Sequence, residues 1–301
     1  MIYSIRFFKN QSCIWFGVLT LLTSCNPRIS GYISSDTPRV YNIKPILHLG
    51  PELKESSGLC HFDSKFWTIN DGGGENLIYS FGIRKKDSSS NFRIENAVNH
   101  DWESLDDDSL FVYIADVGDN FGTRDSIFVY RILKTDITGI LQIPCDIIRL
   151  SIPEKQVNPK SSSWSSHDCE AIALIDDSIY LFTKNWIDFT TSVYVIPAVP
   201  GSYSPSVRSV ARVNMLVTGA DFDSCSGKLY LIGYMKYKPV IIVFPSSYSG
   251  YLADKPFTRI RFPARFGTQT EAISVSCRGE VFITSERSIY PARLFKVSSK
   301  E

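Results

Sequence analysis

The chain has 301 residues, with 32 Lys and Arg against 31 Asp and Glu, a formal charge of +1, and 44% hydrophobic residues. So even a balance gives no reason to expect nucleic acid or an anionic membrane face as a partner. Tyr, Phe, Val, Ile and Ser are plentiful and no long stretch carries a 3.6-residue apolar period, so an all-β domain is expected.

The N-terminus has its own character. Arg6 and Lys9 give a positive start, and Ile14–Leu22 is apolar but shorter than the roughly 20 residues that span a bilayer. The run ends in Leu22-Thr-Ser-Cys25, which resembles the lipobox of bacterial lipoprotein signal sequences. The expectation is a signal peptide over 1–24, lipidation of Cys25, a flexible tether over 25–38 and a domain over 39–301, held to a membrane by its acyl chains. Cleavage would leave 277 residues with 30 basic and 31 acidic side chains. The mature chain would carry Cys60, Cys145, Cys169, Cys225 and Cys277 besides Cys25, with no CxxC spacing. A thiolate zinc site is not expected from that spacing, and disulfide pairing stays open.

Five hexapeptides then read as the same strand: Phe66–Asp71, Phe111–Asp116, Ile179–Lys184, Leu229–Tyr234 and Val281–Glu286. Each follows a turn and a strand opened by an acid: Glu55, Glu103, Glu170, Asp221 and Glu271, at intervals of 48, 67, 51 and 50 residues. Each is followed by a third strand, and in most units by a fourth, such as Asp146–Ile152 and Phe257–Phe262. Four short strands every 40–50 residues is the period of a propeller blade. Five blades are expected, with six left open. The last unit has three strands, so Arg39–His48 is expected to supply its outer strand and close the ring. The long interval ends in Asn158–His167, read as a surface loop.

The motifs Trp67–Asp71 followed by three glycines, His100-Asp-Trp-Glu103, Tyr113–Asn120, His167-Asp-Cys-Glu170, Thr218–Phe222 and Thr270-Glu-Ala-Ile273 together resemble one group of bacterial propellers. That group is similar to the SdiA-regulated and esterase-like phytase propellers and, more distantly, to the calcium-dependent lactonase propellers. The resemblance covers about residues 50–290 and implies the fold. The acidic signature of the calcium-dependent phytases and the Glu-Gly-Pro opening of the lactonases are missing, so neither activity is carried over.

First strands line a propeller's channel, so Glu55, Glu103, Glu170, Asp221 and Glu271 are expected to ring one mouth. Crowded carboxylates raise one another's pKa, and a hard cation such as calcium, with 6–8 oxygen ligands, relieves them. Asn70, Asp71, Asp116, Asp119 and Asn120 stand at strand ends where they would add oxygens. The competing reading makes the acids architectural, accepting backbone N–H groups between blades. His100 and His167, each opening a His-Asp-x-Glu, are candidate bases or ligands, and Lys184 and Arg124 candidate electrophile or anion clamps. Asp71-Gly-Gly-Gly-Glu75 precedes no helix, so it is not a phosphate loop, and no Gly-x-Ser-x-Gly elbow exists. The expected protein is an envelope propeller binding a small molecule or glycan at a cation-capable pocket. The alternatives are a metal-dependent hydrolase of a phosphoester, ester or lactone, and a scaffold for other envelope proteins.

Overall fold

The structure, a computed structural model, describes residues 41–84, 89–137, 142–152, 165–245, 251–253, 255–262 and 269–299. The leader, Cys25, the tether and most of the loop at 158–167 lie outside the described residues. Strand β1 (Tyr41–His48) comes first. Blade 1 follows as β2 (Ser56–Phe62), β3 (Lys65–Asn70), β4 (Leu77–Phe81) and β5 (Ser90–Ile94). Blade 2 is β6 (Trp102–Asp107), β7 (Phe111–Asp116), β8 (Ile127–Leu133) and, after a short β9 (Gln142–Ile143), β10 (Asp146–Leu150). Blade 3 is β11 (Cys169–Ile175), β12 (Ser178–Thr183), β13 (Thr191–Pro197) and, after β14 (Gly201–Tyr203), β15 (Ser209–Ala211). Blade 4 is β16 (Leu216–Asp223), β17 (Lys228–Met235), β18 (Lys238–Phe244) and β19 (Thr258–Arg261). Blade 5 is β20 (Thr270–Val275), β21 (Val281–Ser285) and β22 (Arg293–Ser299). Among the described residues the helical pieces are two 3-10 turns, Pro51–Leu53 and Lys134–Ile137.

Strand β1 lies antiparallel on β22, with Ile43 opposite Val297 and Leu47 opposite Leu294. The chain's first strand thus completes its last blade, as the missing fourth strand required. Two further strands reach back across blade boundaries. β9 pairs parallel with β5, and β14 parallel with β10, which covers outer edges that would otherwise offer unpaired backbone groups.

β11 is buried at every residue and apolar apart from Glu170, because it is sandwiched between neighbouring sheets. The buried side chains fall into five clusters, each spanning one pair of neighbouring blades. Phe182 and Val193 of blade 3 meet Leu231 and Ile242 of blade 4, for example. Phe66 and Phe81 of blade 1 meet Phe282 and Leu294 of blade 5. Five interfaces for five sheets define a closed five-bladed β-propeller, since an open fan would have four. Each large apolar side chain so buried contributes about 1.5–3 kcal/mol. A disulfide joins Cys225, in the β16–β17 turn, to Cys277, in the β20–β21 turn, clamping blade 4 to blade 5. Cys60, Cys145 and Cys169 are free thiols.

Candidate functional site

Each innermost strand carries one bulge near its start, at Gly58, Glu103, Glu170, Thr218 and Glu271. A bulge leaves one residue unpaired and re-aims its side chain. These five positions are equivalent, and only three of them are acids. The expected ring of five is therefore corrected to a ring of three glutamates. Glu55 stands three residues ahead of its blade's bulge, with 47% of its side chain exposed and Lys54 Nζ 3.2 Å away. Asp221 stands three residues past Thr218 and accepts the backbone N–H of Val275 in blade 5. Asp106, three past Glu103, does the same for Leu174 of blade 3 at 2.6 Å. Asp221 is thus an interblade fastener. Gly58 has φ +69°, and a Cβ there would strike Leu105 of blade 2, so no acid fits that position.

Three carboxylates converge at one side of the mouth. Asp71 follows the end of β3, Asp101 precedes β6, and Glu103 is the bulge residue of β6. One oxygen from each lies within 4.8 Å of the other two. Asp101 is wedged between two glycines. A Cβ on Gly72 would overlap its Oδ1, and one on Gly118 would lie 2.5 Å from its Cγ and 2.7 Å from Glu103 Oε1. Burial, opposed by the Gly72 N–H and reinforced by Glu170, pushes Asp71 up to about 6. Burial, then the charges of Asp71 and Glu170, push Asp101 up to about 6. Burial raises Glu103 well above the usual range, again with Glu170 and Asp71 adding to it.

The other side of the mouth carries its own cation. Lys184 Nζ lies 3.0 Å from Glu170 Oε2. Burial pulls the Lys184 pKa down, but Glu170, Glu271, Tyr234 and Glu103 outweigh that and raise it well above the usual lysine value, so the ammonium stays charged. A lysine that keeps its proton is an electrostatic partner rather than a nucleophile or base. Burial lifts Glu170 to about 8, with Lys184 pulling down and Asp168 pushing up. Glu271 is raised by burial against the pull of Lys184. Tyr234 Oη donates to Gln269 Oε1 at 3.1 Å, and Gln269 Nε2 donates to Glu286 Oε2 at 2.8 Å.

Tyr234, Gln269 and Glu286 went unnoticed in the sequence, yet a signal for them exists. Gln269 precedes Glu271 by two residues, as Asp101 precedes Glu103 and Asp168 precedes Glu170. Asp-x-Glu, Asp-x-Glu and Gln-x-Glu are one motif in three blades.

The remaining candidates hold the scaffold around the mouth. Asp116, fully buried, accepts the Asp101 backbone N–H at 2.8 Å and Arg124 Nη2 at 2.8 Å, with His100 Nδ1 at 3.1 Å. Asp119 accepts the N–H of Thr123 at 2.7 Å, while its own N–H donates to Asp168 Oδ1 at 2.9 Å. His167 Nδ1 lies 2.8 Å from Tyr194 Oη. Among the described residues, none of Asp116, Asp119, His100 and His167 joins the three-carboxylate group.

Comparison with protein-family models and with curated proteins finds no match. Among solved structures, the chain is similar to a glucose dehydrogenase (12% identity, TM-score 0.50) over 86% of this chain and 100% of that one. It is similar to the soluble aldose sugar dehydrogenase of Escherichia coli in its apo form (11% identity, TM-score 0.50), over 87% and 100% of the two chains. A calcium-binding regucalcin of Agrobacterium tumefaciens aligns at 10% identity and TM-score 0.46, over 87% and 95%. The class is a β-propeller, and what is shared at such identities is the fold.

Proposed function

We propose that this protein is a lipid-anchored propeller of the cell envelope. In this reading its mouth holds a hard divalent cation, calcium or one like it, and through it binds a small polar molecule or glycan. The observation that carries the reading is the asymmetry of the mouth. Glu170 is ion-paired with Lys184, whose charge also acts on Glu271, whereas among the described residues no ion pair joins a cationic side chain to Asp71, Asp101 or Glu103. Two oxygens on one calcium, each at about 2.3–2.6 Å, are at most about 5 Å apart, which the 4.8 Å spread satisfies. Three side chains supply half or fewer of the usual 6–8 ligands. The open positions face the mouth and suit sugar hydroxyls or a carboxylate. Lys184, Tyr234 and Gln269 stand ready to meet the rest of such a ligand.

Two further facts support the reading. Asp71, Asp101 and Glu103 belong to the motifs that carry the resemblance to the SdiA-regulated and esterase-like phytase propellers. The Cys225–Cys277 disulfide fits an oxidising, exported setting, in line with the leader and Cys25. A metal-dependent hydrolase would need a base beside the ion, and His100 and His167 are engaged with Asp116 and Tyr194 instead.

The test is thermal melting with EDTA and with calcium. An ion that binds only the folded state adds about 2.7 kcal/mol at a hundredfold excess over Kd, a shift of a few degrees. Calcium should raise the melting temperature of wild type and raise that of Asp101→Asn by clearly less, since Asp71 and Glu103 remain. Identical curves for wild type with and without chelator would overturn the cation site.

A further inference from the structure

Blade 4 carries a cavity of about 730 Å³ on the face it turns toward blade 3, lined by none of the acids of the mouth. Arg212 and Asn214 line it from the connection between β15 and β16. Lys236 and Lys238 come from the β17–β18 hairpin, and Arg259 and Arg261 from β19. Five cationic side chains line one cavity, and among the described residues no acidic side chain does. In a chain with 32 basic and 31 acidic residues, that is a local segregation of charge rather than a reflection of composition.

The segregation is built by strand geometry. Alternate residues of β19 face opposite ways, so Arg259 and Arg261 face this cavity while Thr258 and Ile260 line a groove on the other face of the sheet. The hairpin turn at Lys236 and Tyr237 has both residues at positive φ, 51° and 59°, the tight form that sets Lys238 opposite Met235 with Lys236 at the turn, and both lysines line the cavity. Arg259 is 8% exposed, donates to the Val213 carbonyl, and has its guanidinium 5.7 Å from the Phe257 ring. Arg212, Lys236, Lys238 and Arg261 are in no ion pair among the described residues. Phe257, Phe262, Met235 and Val240 supply apolar wall between the charges.

We propose that this cavity is a binding site for a phosphate ester: one or two anionic phosphoryl oxygens held by the arginines and lysines, with the organic body against Phe257, Phe262 and Met235. Arginine forks match phosphate oxygens bidentately, and lysines add charge without geometry. The volume falls in the range of small-molecule sites and exceeds what a bare phosphate fills. The same chemistry is presented by a soluble sugar phosphate and by the headgroup of an anionic phospholipid.

The experiment uses the full-length chain and an Arg212→Gln/Arg261→Gln variant, both exposed positions whose loss should leave the melting temperature in place. Calorimetric titration with glucose 6-phosphate, glucose and pyrophosphate is the first arm. Flotation with phosphatidylglycerol and with phosphatidylcholine vesicles is the second. Phosphorylated sugar binding that weakens about tenfold or more in the variant, with glucose silent, supports the site and a soluble ligand. Phosphatidylglycerol binding in excess of phosphatidylcholine that falls in the variant, with the soluble probes silent, supports the site and a headgroup. Binding that is equal in wild type and variant, or absent with every phosphate probe, overturns the proposal.

Discussion

The Asp101 carboxylate occupies the space that a side chain on Gly118 would need, and Glu103 Oε1 borders the same space. Gly118 is not at positive φ, so conformational freedom does not explain it. Room for two carboxylates does. Gly118→Ala should therefore displace Asp101 and Glu103 while leaving the five interblade cores intact. The expected outcome is a folded protein with an unchanged strand-rich circular dichroism spectrum and no melting response to calcium. A Gly118→Ala protein that still responds like wild type would show that these carboxylates are not the ligands.

Asp221 and Asp106 predict the opposite pattern. Each accepts a backbone N–H from the neighbouring blade, so Asp221→Ala leaves the Val275 N–H without its partner. A buried donor left unsatisfied costs about 1–3 kcal/mol. Denaturant unfolding should show that loss, with the calcium-induced shift unaltered. Loss of the calcium response in Asp221→Ala would return Asp221 to the site.

Much of the ring was legible in the sequence because blades repeat. The period-2 strands and the acid-headed first strands marked five units. The three-strand last unit identified β1 as its missing edge, a matter of hydrogen-bond accounting rather than propensity. The site was half legible. Spacing of acids alone placed Glu55 and Asp221 in register with Glu103, Glu170 and Glu271, whereas the true register is set by bulges. A bulge has no side-chain requirement of its own, and Gly58 and Thr218 hide it. Asp71 and Asp101 share the site only because two blades are adjacent, and Tyr234 and Gln269 meet through the same neighbourhood. No local pattern records that.

The Cys225–Cys277 bridge should be worth measurable stability. It closes a 52-residue separation, for which chain entropy gives about 4 kcal/mol as an upper figure. Cys225→Ser/Cys277→Ser, or reduction, should lower the unfolding midpoint without abolishing the calcium response, since both turns lie on different elements from Asp71, Asp101 and Glu103. An unchanged midpoint would mean the bridge constrains little that the interblade core does not already fix.

The proposed membrane anchor is tested at one residue. Cys25→Ala should leave an unprocessed precursor that takes up no fatty-acid analogue in cells, while wild type is labelled. Equal labelling of the two proteins would remove the lipoprotein assignment without touching the propeller.

The pH dependence ties the carboxylates to the ion. Asp71 and Asp101 are raised by burial to about 6, and Glu170 to about 8. A carboxyl raised in the folded state binds more protons there than in the unfolded chain, where its value is about 4. Its contribution to stability is complete below that unfolded value and is lost as pH rises through the folded one. With chelator present, the melting temperature should therefore fall between pH 5 and pH 8. A cation reverses this by replacing the protons with its own charge, so its affinity should climb as pH rises through about 6 and level off once Asp71 and Asp101 have ionised. Melting curves with calcium and with EDTA should coincide near pH 5 and separate by a few degrees at pH 8. In Asp101→Asn the separation at pH 8 should be smaller than in wild type, because a neutral amide supplies neither the proton nor the charge. Curves that run parallel from pH 5 to pH 8 in wild type would mean that whatever calcium does to this protein, it does not do it at Asp71, Asp101 and Glu103.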